Sequence, residues 1–110
     1  MSVPDSISAV IITYKRPEEL DGVLLNLLGQ TRVPDEIIVL DNDPSESARE
    51  AKLVTHRRVR YLCSGENLGV AAGRNRAAAE AQGEILLFID DDGRLDGQNS
   101  ISLALRAFRD

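Results

Sequence analysis

Short apolar runs and helix-spaced apolar stripes alternate along this chain. The runs are bounded by polar and turn-forming residues and are rich in β-branched and aliphatic side chains, which is the pattern of buried strands. Four such runs predict β-strands, at residues 7–13, 36–40, 59–63 and 84–89.

The segments between and after these runs predict four helices. Pro17 starts the first, where leucine and valine recur at helical spacing until Gly29. Asp43, Pro44 and Glu46 resemble a capped helix start and predict a second helix to about residue 54. An alanine-rich third helix is expected over residues 70–81, and a last apolar stripe consists of Ile101, Ala104, Leu105 and Phe108.

This alternation predicts an α/β fold in which a parallel sheet is covered by helices on both faces. The length suits one domain over residues 1–110. No closing element follows the last helix, so we expect a truncated domain with apolar surface left open. A homodimer through the exposed sheet edge or the last helix would cover that surface.

Composition narrows the classes of function. The net charge is −5, which argues against nucleic-acid binding, since that normally needs a basic surface. No apolar run is long enough to span a bilayer and no basic amphipathic stretch stands out, so a membrane role is not expected. The single cysteine, Cys63, cannot form an internal disulfide, which favours a reducing compartment such as the cytoplasm.

Polar residues collect where the predicted strands end, and ligands of open parallel sheets bind at that rim. The sharpest feature is the acidic triplet Asp90-Asp91-Asp92 directly after the fourth strand. Adjacent carboxylates repel one another, so their concentration favours a bound cation, and Mg²⁺ or Mn²⁺ accepts such oxygen ligands together with phosphates. The alternative is a solvated acidic turn. Carboxylates beside an aromatic residue suit a nucleotide held through a metal ion.

Four stretches resemble the N-terminal, nucleotide-sugar-binding half of family 2 glycosyltransferases, which have the Rossmann-like GT-A fold. Each stretch is a weak signal alone, but the four occur in the family's order. They are VIITYKRP from Val10, IIVLDN from Ile37, NLGVAAGRN from Asn67 and LLFIDDD from Leu86.

The resemblance implies roles in nucleotide binding. Thr13 and Tyr14 would border the base and ribose, and Asp41 would accept a hydrogen bond from uracil or thymine. Asn67 and Gly69 would shape the loop under the nucleotide. Simpler structural roles stay open, with Tyr14 packing on a helix, Asp41 forming a turn and Asn67 capping a helix.

The resemblance also implies roles near the diphosphate and the sugar. Arg74 would lie near the base or the diphosphate, although an ion pair with a nearby acid is its alternative. Asp90 and Asp91 would hold the ribose and sugar, and Asp92 would bind the metal that bridges the diphosphate. Two neighbouring features are given structural roles instead: Asp43 as a helix cap, and Lys15-Arg16 as an exposed basic turn.

In the family, an acceptor hydroxyl attacks the anomeric carbon of a nucleotide-activated sugar while a carboxylate base removes its proton. That base lies well beyond the triplet in relatives, whereas only residues 93–110 follow the triplet here, and none of the upstream acids matches the base motif. We therefore expect the chain to bind a UDP- or dTDP-sugar donor without efficient transfer.

Two other classes of function remain open. The segment Ile89-Asp90-Asp91-Asp92-Gly93-Arg94-Leu95 also resembles the first motif of haloacid dehalogenase-type phosphatases, with Asp90 as nucleophile. That family places the motif on its first strand, however, and three strand-helix units precede it here. A non-catalytic binding or assembly module is the other alternative.

Overall fold

The computed structural model describes residues 6–109, with the side chain of residue 109 left out. Four parallel strands form one sheet in the order β3-β2-β1-β4. The strands are β1 (Ile7–Thr13), β2 (Glu36–Asp41), β3 (Val59–Cys63) and β4 (Ile85–Phe88), and the α-helices are α1 (Pro17–Leu28), α2 (Gly69–Glu80) and α3 (Ser100–Arg109). The α/β, Rossmann-like fold predicted from the sequence is confirmed.

The main core lies on one face of the sheet. Alternate residues of the two central strands, such as Ile11 and Val39, pack there against α1 and α3. The leucine and valine stripe of α1 is fully buried, which accounts for its helical spacing: Leu20, Val23, Leu24 and Leu27 are 0% exposed.

A thinner layer forms on the opposite face, where α2 covers Val10, Ile38 and Leu40. Gly73 allows this close approach, because a Cβ atom there would lie 2.9 Å from Leu40 Cδ2. Alanine and glycine in α2 thus bring its N-terminus close to the carboxyl ends of the central strands.

The prediction of one helix from residue 43 to about residue 54 is wrong. Two separate 3₁₀ helices, Ser47–Glu50 and Lys52–Thr55, occupy this stretch, so the chain has three α-helices among its described residues and not four. Side chains elsewhere replace the i−4 carbonyls as acceptors. Asp41 accepts from the Ala48 N–H, and Asp21 accepts from the N–H groups of Lys52 and Leu53.

The expectation that helices cover both faces of the sheet fails at β4. This strand lies at the sheet edge, and its outward residues Leu86 and Phe88 are 38% and 42% exposed. Helix α3 also exposes Leu103 and Phe108. Apolar surface is therefore open in this region, as the sequence predicted. Within residues 6–109, no helix is both long and apolar enough to cross a membrane.

Candidate functional site

The strand order places the candidate site at one rim of the sheet. Because β4 pairs with β1, the turn after β1 meets the acidic triplet that follows β4. Between them opens a cleft of about 550 Å³, bounded on the far side by the start of α2. The predicted site residues that line it are Thr13, Tyr14, Asn67, Gly69, Arg74, Asp90, Asp91 and Asp92.

Asp91 is the buried member of the triplet, with its side chain 11% exposed. The Thr13 hydroxyl donates to Asp91 Oδ2 at 3.0 Å, and Arg16 Nη1 lies 3.5 Å from Asp91 Oδ1. Burial is the main cause that raises the pKa of Asp91 above its ordinary value, and the neighbouring charge of Asp92 acts in the same direction. Thr13 and Arg16 oppose this shift without cancelling it.

Asp92 is the open member of the triplet, with its side chain 57% exposed. Among the described side chains, its one cationic contact is Arg16, whose Nη2 lies 3.4 Å from Asp92 Oδ2. A single guanidinium group therefore bridges Asp91 and Asp92. The accessible oxygens of Asp92 leave it able to bind a further ligand.

Asp90 projects into solvent, where its side chain is 75% exposed. Arg74 Nη2 lies 3.7 Å from Asp90 Oδ1, and the Arg74 guanidinium also lies 5.6 Å from the ring centroid of Phe88. Arg74 thus carries an ion pair with a nearby acid, which was its alternative role, and it does so inside the cleft.

Asp41 is not among the residues that line the cleft. Its carboxylate is fully buried and accepts three hydrogen bonds, from the Asp43 N–H, the Ala48 N–H and the Tyr61 hydroxyl, at 2.9, 3.0 and 2.8 Å. These bonds organise the loop after β2. A bond from Asp41 to a nucleotide base therefore stays a prediction, and it would require this network to open.

Asn42 lines the cleft next to Asp41 and holds the loop before α2. Its side-chain oxygen accepts from the Leu68 N–H at 3.2 Å, and its amide donates to the Gly69 carbonyl at 3.1 Å. Asn67 accepts from the Gly69 N–H at 2.9 Å and so stabilises the turn before α2, although Leu68 and not Asn67 occupies the N-cap position of that helix. Gly69 itself has a φ of 79°, a conformation that glycine adopts at little cost.

Tyr14 is 43% exposed at the mouth of the cleft, so part of its ring is accessible to a planar ligand. Lys15 Nζ lies 5.2 Å from the centroid of this ring, and Lys15 has a φ of 56°, which is strained for a residue with a side chain. This backbone turn directs the chain from the end of β1 into α1.

The carboxylates of the cleft offer only part of a ligand set for a divalent cation. No three histidine, cysteine, aspartate or glutamate side chains within residues 6–109 converge as a complete metal site. Mg²⁺ and Mn²⁺ commonly take one or two carboxylates and obtain their remaining ligands from phosphates and water. The exposed carboxylate of Asp92, with hard oxygen ligands, fits that mode of binding.

Arg16 and Asn42 are the site residues that sequence reasoning missed. Arg16 was expected to form an exposed basic turn, but it bridges two members of the triplet. The signal was available in the topology, because a Rossmann-like strand order places β1 beside β4. For Asn42, its position directly after Asp41 at a strand end was the only signal.

Comparison with known sequences identifies a family. The profile described as "Glycosyl transferase family 2" matches residues 8–110. The galactofuranosyltransferase GlfT1 of Mycobacterium tuberculosis is 40% identical over 94 residues, which make up 81% of this chain and 31% of that protein. The uncharacterised glycosyltransferase YwdF of Bacillus subtilis is 37% identical over 78% of this chain and 32% of its own length. The chain thus spans about a third of these relatives.

Solved structures share the fold. The mannosyltransferase PcManGT of Pyrobaculum calidifontis, in complex with GDP-Man and Mn²⁺, superposes with a TM-score of 0.82 at 24% identity, covering 100% of this chain and 34% of that one. Residues 1–349 of S. aureus TarS, in complex with UDP-GlcNAc, give 0.77 at 24% identity over 93% of this chain and 30% of that one. Both are GT-A-fold proteins, and at this identity the likeness concerns the fold.

Proposed function

Because the chain belongs to glycosyl transferase family 2, we propose that its 110 residues bind a nucleotide-diphosphate sugar for transfer to an acceptor hydroxyl. The observation that carries this proposal is the cleft between the carboxyl ends of β1 and β4. There Asp90, Asp91 and Asp92 face the turn after β1 and the start of α2. UDP- or dTDP-sugars are the proposed donors.

The nucleoside would lie between the turn after β1 and the loop before α2. Tyr14 supplies an exposed ring for stacking, and Thr13 supplies a hydroxyl group whose position is fixed by its hydrogen bond to Asp91. Asn67 and Gly69 form the wall at the start of α2. In this arrangement Asp91 would hold the ribose or sugar, while the guanidinium of Arg74 would provide positive charge for the base or the diphosphate.

Asp92 would hold Mg²⁺ or Mn²⁺, with donor phosphates completing the coordination. When bound, the ion would supply electrostatic stabilisation of the charge that develops on the leaving diphosphate. Asp90 is exposed beside it and would orient hydroxyl groups of the sugar. These side chains lie on loops that follow buried strands, so the sheet fixes where they can reach.

The proposal places the acceptor site and the catalytic base outside these 110 residues. The carboxylates of the described cleft are those of the triplet, which are assigned to donor and metal. The relatives are about three times as long as this chain, so they have the length to supply the remaining groups. The chain alone would then bind the donor and transfer sugar inefficiently.

The first experiment is calorimetric titration of the protein with UDP, with and without Mn²⁺. We expect UDP binding that depends on the metal and that weakens at least about tenfold in Asp92→Ala, because the substitution removes the proposed ligand. Titration with dTDP and GDP would then test the choice of base.

Asp96→Ala is the matched control, because Asp96 is an exposed acid in the same loop that does not line the cleft. Its affinity should equal that of the wild type. Equal UDP affinity in Asp92→Ala would contradict the metal assignment. A folded wild type that binds neither nucleotide nor metal would contradict the donor site in this chain, and efficient sugar transfer by the chain alone would contradict the assignment of the base elsewhere.

Three further predictions concern the phosphatase alternative, the cellular location and the oligomeric state. The family match does not favour the phosphatase alternative, whose test would be Mg²⁺-dependent hydrolysis of p-nitrophenyl phosphate. Location in the cytoplasm rests on the lone Cys63. A homodimer would use the β4 edge or the exposed side of α3, and a monomer in light scattering would contradict it.

A further inference from the structure

Arg16 is held so that its guanidinium group reaches two carboxylates at once. Pro17 starts α1 directly after it, and the Arg16 carbonyl accepts from the Leu20 N–H at 2.9 Å, so the backbone is anchored. The side chain, 42% exposed, extends from this anchor to Asp91 at 3.5 Å and to Asp92 at 3.4 Å. The same cation therefore neutralises part of the charge of the triplet.

The two contacts of Arg16 differ in how easily they can be exchanged. Asp91 is buried and also held by the Thr13 hydroxyl, whereas Asp92 is 57% exposed and, within the described part of the chain, has Arg16 as its one cationic side-chain partner. Exposed ion pairs of this length are weak and exchange readily. The Arg16–Asp92 contact can thus open while the Arg16–Asp91 contact stays.

A divalent cation at Asp92 and the guanidinium of Arg16 would compete for the same carboxylate. Both are positive and would lie within a few ångströms of each other, so each disfavours the other. A bound diphosphate would remove this competition. It adds negative charge to the cleft, and its oxygens can accept hydrogen bonds from the guanidinium group.

Building on the proposed function, we propose that Arg16 is a positioning residue that couples metal binding to nucleotide binding. Arg16 holds Asp92 and thereby weakens the binding of a divalent cation alone. When a nucleoside diphosphate enters the cleft, Arg16 transfers its Nη2 contact from Asp92 to the diphosphate, and Asp92 becomes available to the cation. Metal and nucleotide then strengthen each other's binding, a coupling that must be reciprocal.

The test measures Mn²⁺ affinity from the electron paramagnetic resonance signal of the free ion, with and without saturating UDP. In Arg16→Gln we expect Mn²⁺ alone to bind about two- to fivefold more tightly, because a competing cation is gone. We also expect the factor by which UDP tightens Mn²⁺ binding to fall below its wild-type value. Arg16→Lys keeps the charge and should retain the weaker binding of Mn²⁺ alone.

Arg76→Gln is the matched control, since Arg76 pairs with Glu80 on the surface of α2 and does not line the cleft. It should leave both Mn²⁺ affinities unchanged, and a thermal melt of each variant checks that the fold is retained. If Arg16→Gln binds Mn²⁺ alone no more tightly than the wild type, while the wild type binds UDP with Mn²⁺, the role of Arg16 is wrong and the proposed function stands. If the wild type binds neither UDP nor Mn²⁺, both are wrong.

Discussion

Two arginines bridge pairs of carboxylates at opposite ends of the same sheet. At the amino end, Arg60 contacts Glu36 at 3.2 Å and Glu80 at 3.3 Å; at the carboxyl end, Arg16 contacts Asp91 at 3.5 Å and Asp92 at 3.4 Å. In each pair one carboxylate is 11% exposed and the arginine is about half buried, at 37% and 42% exposure.

The two buried carboxylates nevertheless have opposite pKa shifts. Burial acts to raise the pKa of Glu36, but hydrogen bonds from Ser8 Oγ and the Gln82 N–H, both at 2.6 Å, together with Arg60, bring the pKa below its ordinary value. Asp91 has one such donor, Thr13 at 3.0 Å, and its pKa is raised by burial.

Glu36 is thus a carboxylate that stabilises the fold, whereas Asp91 is one that retains the capacity to bind a further group. Three donors surround Glu36, so its charge stabilises the junction of three sheet strands. The charge of Asp91 is under-compensated, and such groups are typical of functional sites. A further cation or hydrogen-bond donor would therefore be more favourable beside Asp91 than beside Glu36.

The largest expected effect is that of Glu36→Ala on folding. The substitution removes the acceptor of two short hydrogen bonds and one ion pair, and leaves the Ser8 hydroxyl and the Gln82 N–H without it. We expect a loss of about 3 kcal/mol in the free energy of unfolding, measured by urea denaturation. Glu50→Ala, at an exposed acid, should change it by less than about 0.5 kcal/mol. Equal changes in the free energy of unfolding for Glu36→Ala and Glu50→Ala would contradict a structural role for Glu36.

The next effect compares the two arginines directly. Arg60→Gln should lower the free energy of unfolding by about 1 kcal/mol, because it leaves the buried Glu36 without its cation. Arg16→Gln should lower it by less than about 0.5 kcal/mol, since its contacts are longer. Urea denaturation of both variants measures the difference. A larger loss for Arg16→Gln would mean that Arg16 serves mainly the fold.

Much of the fold could be predicted because buried strands and the α1 stripe have strong local patterns. Predicted and observed bounds agree for β1 and β3, and they differ by one residue at one end for β2 and by one residue at each end for α2. The prediction of a helix over residues 43–54 was wrong because the contacts that shape this segment cannot be read from its local sequence pattern. Its backbone donors are satisfied by Asp41 and Asp21, and Glu46, with a φ of 60°, and the extended Ala51 interrupt any continuous helix.

The candidate site could be located from the sequence but not resolved in detail. Strand-end positions were sufficient to bring Thr13, Tyr14 and the triplet to one cleft, whereas Arg74, which lies in α2, was placed there only by the family resemblance. The burial of Asp41 and the bridge made by Arg16 depend on side-chain directions across neighbouring loops. The contacts of Arg16 join residues that are 75 and 76 positions apart, so no local spacing encodes them.

A smaller effect is expected when the charge of Asp91 is removed. Asp91→Asn keeps an oxygen that can accept from the Thr13 hydroxyl but removes a buried, under-compensated negative charge. We expect the free energy of unfolding at neutral pH to stay within about 0.5 kcal/mol of the wild type or to rise. Urea denaturation beside Glu36→Gln, which should be destabilised, makes the comparison. A loss for Asp91→Asn as large as that for Glu36→Gln would show that the two carboxylates serve the fold alike.

The smallest expected effect is on how stability depends on pH. Glu36 and Asp91 should contribute to this dependence with opposite signs. Glu36 has a folded-state pKa below its ordinary 4.5, so its stabilisation is present above that pH and is lost on acidification. Asp91 has a folded-state pKa above its ordinary 3.8, so the wild type loses stability as the pH rises through the window above 3.8.

Urea denaturation between about pH 3 and pH 7 separates the two contributions, because the Glu36 stabilisation is lost only below its ordinary pKa of 4.5. The deficit of Glu36→Gln relative to the wild type should shrink towards the acidic end, because protonation removes the advantage that the wild type has. Any advantage of Asp91→Asn over the wild type should also be greatest near neutral pH and disappear on acidification, since the wild-type carboxyl then becomes neutral. Because a deficit and an advantage shrink together, the two variants should converge on the wild type from opposite sides. Convergence from the same side would mean that Asp91, like Glu36, is stabilised as an anion, and its proposed binding capacity would lose its electrostatic basis.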